Sequence, residues 1–115
     1  MEIQIFGTKK SAATRKAQRF FSERRIRVHF VDLTQRAASP SELRRFVQKF
    51  GVAALIDRSS KRFAELGLAH AGYSDDRWLQ ILAEEPLLLV QPLVRNANQL
   101  TIGEAEATWR EWTGR

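Results

Sequence analysis

Between Glu2 and Leu33 the chain runs through a strand pattern, a helix pattern and a second strand pattern without a break. Residues 2–6 alternate polar and apolar, with Ile3 and Ile5 on one side, which is the period of a half-buried strand. Gly7 ends it. Ser11 is a candidate N-cap, and Ala13, Ala17, Phe20, Phe21 and Arg24 follow at helical spacing. That spacing predicts a helix over residues 12–24 with one apolar stripe. Arg24 and Arg25 suit the negative end of its dipole. Residues 27–33 read as a second strand, with Val28, Phe30 and Asp32 facing one way. Two strands joined by a helix of this length favour a parallel, right-handed crossover, so the first third of the chain commits it to an α/β fold.

The remainder adds helices and then a hairpin. Ser39-Pro40-Ser41-Glu42 combines a capping serine, proline at the first helical position and glutamate at the third. It predicts a helix over residues 40–50 that buries Leu43, Phe46, Val47 and Phe50 and stops at Gly51. Residues 52–56 and 61–66 read as short helical turns. Ser74 caps a further helix with Asp75 and Asp76 in its first turn and Trp78, Ile81 and Leu82 inward; Glu85-Pro86 ends it. Residues 87–94 are apolar around Pro92, residues 95–99 carry turn chemistry, and residues 100–102 read as a strand, which together suggest a β-hairpin. A last helix over residues 104–112 puts Ala105, Trp109 and Trp112 on one face. There are no repeats, linkers or low-complexity segments. The order βαβ, helices, ββα describes a thioredoxin-like four-stranded mixed sheet with a helical insert, the core being residues 1–35 and 87–115 and the insert 36–86. Periodicity alone leaves other small α/β sandwiches open.

Composition removes several kinds of chemistry. The 115 residues suit one domain, and 43% are apolar, enough for a core. There is no cysteine, which excludes disulfides, thiolate metal sites and cysteine nucleophiles. His29 and His70 lack ligand spacing, so no metal is expected, and His29 reads as a surface residue on the second strand. No apolar run approaches the ~20 residues needed to cross a bilayer, and no apolar signal segment follows a basic start. A cytoplasmic chain with no membrane contact, monomeric, is the expectation. The net charge is +6 and uneven: residues 1–62 hold fifteen Lys/Arg against five Asp/Glu, and residues 63–115 hold four against eight. A basic half attracts nucleic acid, an acidic protein or an oxyanion. Its cations are spread over several elements with no alternating aromatic platform, so a solvated surface is the plainer reading and nucleic acid the weaker one. Trp78, Trp109 and Trp112 read as packing residues.

Several segments, in order, resemble the arsenate reductase (ArsC) and Spx-like family. Ile5-Phe6-Gly7-Thr8-Lys9-Lys10-Ser11-Ala12-Ala13-Thr14-Arg15-Lys16-Ala17 is similar to its strand, loop, reactive cysteine and helix. Leu55-Ile56-Asp57-Arg58 with Phe63-Ala64-Glu65-Leu66-Gly67-Leu68 resembles its middle segment. Glu84-Glu85-Pro86-Leu87-Leu88 with Gln91-Pro92-Leu93-Val94-Arg95-Asn96 resembles its third, and Thr101-Ile102-Gly103 the start of its last helix. Each motif is weak alone; the set spans nearly the whole chain. The resemblance implies the thioredoxin-like fold outlined above. It also implies a thiolate chemistry in which sulfur attacks an oxyanion and a small thiol or a second cysteine resolves the product.

The resemblance places the nucleophile at Ser11 and the second cysteine of Spx-like proteins at Thr14. Serine keeps the cap, but its hydroxyl is hardly ionised at neutral pH and forms no disulfide. Of the family's anion-binding arginines, the middle one falls at Arg58, with Asp57 and Ser59 as competing alignments. The one before the proline is Gln91 here, the later one falls near Ile102, and Arg95 is a stand-in candidate. Pro92 aligns with the proline that such folds hold cis; a proline opening an edge strand is the alternative. Lys9, Lys10, Arg15 and Lys16 surround the Ser11 loop, as anion attractors or as solvated surface. The candidate set is therefore Ser11 at the nucleophile position, with Lys10, Thr14, Arg58, Gln91, Pro92 and Arg95 for anion or thiol binding.

Two functions follow from the resemblance. One is a non-catalytic member that binds a protein partner, RNA polymerase being the partner that Spx suggests; Gly51 falls near a contact glycine of such regulators and is also a helix stop. The other is a glutathione-linked oxidoreductase of arsenate reductase type, with serine standing where cysteine is required. No resident cofactor is expected; glutathione enters as a co-substrate if the lineage is enzymatic.

Overall fold

The computed structural model describes residues 1–114. They form two compact units, one made of residues 1–32 with the segment from Gln91 onwards, the other of residues 33–90.

The first unit is a four-stranded sheet with two helices. Its elements are β1 (Glu2–Gly7), α1 (Ala12–Glu23) and β2 (Arg27–Asp32). The sheet takes the order β2-β1-β3-β4, where β3 and β4 are the hairpin strands Leu93–Asn96 and Gln99–Ile102. β1 runs parallel to β2 and antiparallel to β3, and β3 is antiparallel to β4. One sheet face supplies Ile3, Ile5 and Val94 to a core with Ala17, Phe20 and Phe21 of α1 and Trp109 of the last helix. That buried stripe is why residues 12–23 are a helix here: Thr14, Ala17, Phe20 and Phe21 recur at three- and four-residue steps and all face inward. The Phe21 and Trp109 rings lie 5.5 Å apart, and the Trp109 indole N–H donates to Thr101 Oγ1 at 2.8 Å, so this large ring is buried with its polar atom satisfied.

The second unit holds α2 (Pro40–Phe50), a 3₁₀ turn at Val52–Leu55, α3 (Lys61–Glu65), α4 (Asp75–Glu84) and a 3₁₀ turn at Pro86–Leu88; the final helix of the chain, α5 (Glu106–Thr113), returns to the first unit. α2 packs on α4 and on the first 3₁₀ turn, with Leu43, Phe46 and Leu82 at most 1% exposed. Ser39, Ser60 and Ser74 each accept the backbone N–H three residues on, so three helices of this unit begin with the same serine cap.

Four details depart from the sequence expectations. The apolar run 87–94 is not one strand: Pro86–Leu88 is a 3₁₀ turn, and residues 88–90 bond to residues 55–57, with Asp57 N–H donating to Leu88 O and Val90 N–H to Leu55 O. Only after Pro92 does β3 begin, because proline cannot supply a ladder donor. The hairpin turn is shorter than residues 95–99: Arg95, Asn96 and Gln99 are paired, and Ala97-Asn98 makes the turn with Ala97 at φ 53. Phe50 is 38% exposed rather than buried, with the Lys49 ammonium over its ring. α5 begins at Glu106 rather than residue 104.

Candidate functional site

The site is built where β1 hands over to α1. Gly7 ends β1, Thr8 is buried, and residues 9–10 form an exposed turn. Ser11 N–H donates to Thr8 O at 3.2 Å, which closes that turn. Ser11 is then the N-cap of α1: its Oγ accepts the Thr14 N–H at 3.1 Å and its carbonyl accepts from Arg15 N–H at 3.0 Å. The expected cap is therefore present, and the hydroxyl is committed to a backbone donor. An Oγ in this role is held as an acceptor at the positive end of the helix.

The cis peptide Gln91-Pro92 lies on the other side of this loop. Gln91 precedes β3, whose Leu93 pairs with Phe6 of β1, and this pairing brings residue 91 beside the end of β1. Gln91 Oε1 accepts from the Thr8 N–H at 2.8 Å, from Thr8 Oγ1 at 3.0 Å and from Thr14 Oγ1 at 3.4 Å. The Pro92 carbonyl accepts the Gly103 N–H at 2.8 Å and so ties the start of β3 to the end of β4. Pro92 and Thr14 are buried, and Gln91 is half-buried.

Of the sequence candidates, the fold brings Thr14 and Gln91 into contact and sets Ser11 on the same turn as Thr14. Lys10 is exposed on the loop. Arg95 lies in β3 opposite Gln4 and, with Glu2, Gln4, His29 and Ala97, lines an open groove of about 280 Å³ on the sheet. Its Nε donates to Ala97 O at 2.8 Å. Arg58 belongs to the second unit, where its guanidinium lies 5.6 Å from the Phe63 ring centroid. The surrounding cations are partly engaged: Arg15 Nη1 donates to Lys9 O at 2.7 Å and Lys16 pairs with Glu104 at 3.2 Å. Sequence reasoning missed Thr8, which donates to Gln91 through both backbone and side chain. The partners are 83 residues apart, so no local pattern marks the contact.

Among the described residues no three His, Asp or Glu side chains gather as metal ligands, and no helix is long and apolar enough to cross a membrane.

The model of the ArsC family matches residues 6–112. The chain belongs to the ArsC family. Among its relatives, the uncharacterized protein YusI of Bacillus subtilis is 24% identical over 115 residues, covering 96% of this chain and 98% of that protein. An arsenate reductase of Neisseria meningitidis is 28% identical over 105 residues, covering 89% of this chain and 90% of that one. The solved arsenate reductase of Vibrio cholerae shares the fold, with a TM-score of 0.83 at 24% identity over 96% of this chain and 97% of that structure. This ArsC-family chain is thus arsenate reductase-like in fold, with the thioredoxin-like sheet its order of elements predicts and no cysteine anywhere in its sequence.

Proposed function

We propose that this chain is a non-catalytic member of the ArsC family that works by binding a partner in the cytoplasm as a monomer. The observation that supports the reading is the state of Ser11. Its Oγ accepts the Thr14 N–H as the N-cap of α1, and no thiol stands elsewhere in the sequence to replace it. Sulfur chemistry needs an ionised nucleophile that can form and release a bond to a second sulfur or to an oxyanion. A capping serine without a neighbouring base does neither. An RNA polymerase-type partner is the candidate that the Spx resemblance suggests.

A second reading keeps the enzyme lineage, on the ground that arsenate reductases match it over most of their length. In it the chain is a glutathione-linked oxidoreductase with its sulfur replaced by serine. Glutathione-coupled arsenate reduction, measured on the chain and on Ser11→Cys, separates the two. The serine form is expected to be inert. Turnover by Ser11→Cys favours the enzyme lineage with one missing atom; two inert forms favour binding. Turnover by the serine form itself sinks the proposal.

A further inference from the structure

Three donors, two from Thr8 in the loop after β1 and one from Thr14 in the first turn of α1, converge on one acceptor that belongs to the chain itself. Gln91 Oε1 lies 2.8 Å from the Thr8 amide nitrogen, 3.0 Å from Thr8 Oγ1 and 3.4 Å from Thr14 Oγ1. A backbone N–H can only donate, so the shortest of these bonds fixes which end of the Gln91 amide faces the loop. An amide oxygen has two lone pairs; the two Thr8 bonds fill them, and Thr14 makes a weaker third contact. Thr8 is 6% exposed and Thr14 fully buried, so water competes little for these donors.

A backbone amide and two hydroxyls converging beside a helix N-terminus, with the exposed Lys9, Lys10 and Arg15 on the same stretch of chain, are what an oxyanion's oxygen requires. Here a neutral oxygen already sits there. We infer that Gln91 is a specificity-determining residue whose side-chain carbonyl occupies the loop's donors and closes this site to tetrahedral oxyanions. An anion oxygen bonded to the Thr8 N–H at ordinary length would need the position of Oε1, so it binds only by expelling Gln91 and breaking its bonds. A guanidinium at residue 91 would act in the opposite sense on both counts: it has no acceptor to offer Thr8, and it adds a fixed positive charge. Glutamine supplies the acceptor and omits the charge. The inference deepens the non-catalytic reading of the same loop and rests on it.

The test is a titration of the whole chain with arsenate, sulfate and phosphate, following the Thr8 amide by NMR, in the wild type, Gln91→Met and Gln91→Glu. Methionine keeps the length and drops the acceptor; glutamate keeps the acceptor and adds negative charge. In the wild type the Thr8 amide should exchange slowly with solvent and stay unmoved by the anions. In Gln91→Met it should exchange faster and shift saturably, with an apparent affinity at least about tenfold above wild type. Gln91→Glu should stay silent. A saturable shift in the wild type overturns the inference, and so does a folded Gln91→Met that is as silent as the wild type. If Gln91→Met does not fold, the wild-type titration and exchange rate decide alone: silence with slow exchange supports the inference, and a saturable shift overturns it. The readout is binding in the serine chain, so its failure is separate from that of the non-catalytic reading, which falls only with turnover.

Discussion

At Gly7 the backbone of β1 passes so close to Thr14 that an added Cβ would lie 2.6 Å from Thr14 Cγ2 and nearer still to Oγ1. Read from sequence, Gly7 looks like a strand stop. The structure gives it a second cause: Gly7 is buried, and only a residue without a side chain lets Thr14 lie against the strand end and reach Gln91. Gly7→Ala should therefore destabilise the fold by about 1–3 kcal/mol, the usual cost of overpacking. Urea denaturation of the two chains measures it. A loss under about 0.5 kcal/mol would mean that the strand end relaxes freely and the contact carries no constraint. The same scale shows what the chain's order of residues conceals. Ser11 is legible as a cap because its partner Thr14 is three residues away. Gln91 looks in sequence only like a missing arginine, because the donors that define its role arrive from Thr8 and Thr14 through the pairing of β1 with β3.

Elements with short-range causes were the readable ones. α2 begins as its first four residues predict: Ser39 Oγ accepts the Glu42 N–H at 3.1 Å, and Glu42 Oε1 accepts the Ser39 N–H at 2.9 Å. Arg36 adds a two-armed hydrogen bond to the same carboxylate, at 2.9 and 3.1 Å, from a position that no capping rule names. Elements with long-range causes were not readable. Residues 88–90 look like strand but pair with residues 55–57, which lie more than thirty positions earlier in the chain. The α2 start makes a pH prediction. The Arg36 guanidinium first, then the Ser39 N–H, hold the Glu42 carboxyl at about 2 against an ordinary 4.5, more than offsetting its partial burial. A carboxyl lowered on folding stabilises the native state above its unfolded pKa, and that stabilisation is lost as pH falls toward the folded value. Because the pair is partly solvated, the wild type should exceed Glu42→Gln by about 1 kcal/mol at neutral pH, where glutamine keeps the cap but not the charge. The gap should hold down to about pH 5 and close between there and about pH 2. Denaturation curves across that range check it; a gap that is constant with pH would show that the Arg36 pair contributes nothing.

For the whole molecule, the charge pattern along the chain differs from the pattern the fold produces. Residues 1–62 carry nearly all the basic excess in sequence, yet they are divided between the two compact units. Residues 1–32 with 91–115 hold eleven Lys/Arg against six Asp/Glu, a net +5, and residues 33–90 hold eight against seven, a net +1. Several of these cations are engaged already: Lys16 with Glu104, Arg110 with Glu106, Arg62 with Glu65 and Glu85, Arg36 with Glu42. In the sheet unit, Phe20, Phe21 and Trp109 are turned inward, at most 5% exposed and packed on one another, so these rings offer no stacking surface. Nucleic-acid binding needs uncommitted cations in a row or a stacking surface, and affinity from phosphate contacts falls with salt at a log–log slope of about −0.9 per contact. The chain should therefore leave DNA and RNA oligonucleotides unretarded at micromolar protein in low-salt buffer. Retardation with a salt slope of about −3 or steeper would require at least three phosphate contacts and would show that the basic excess of the sheet unit is a working surface. A weak shift with a flatter slope would reflect one or two incidental contacts, which a net charge of +5 supplies without any built site.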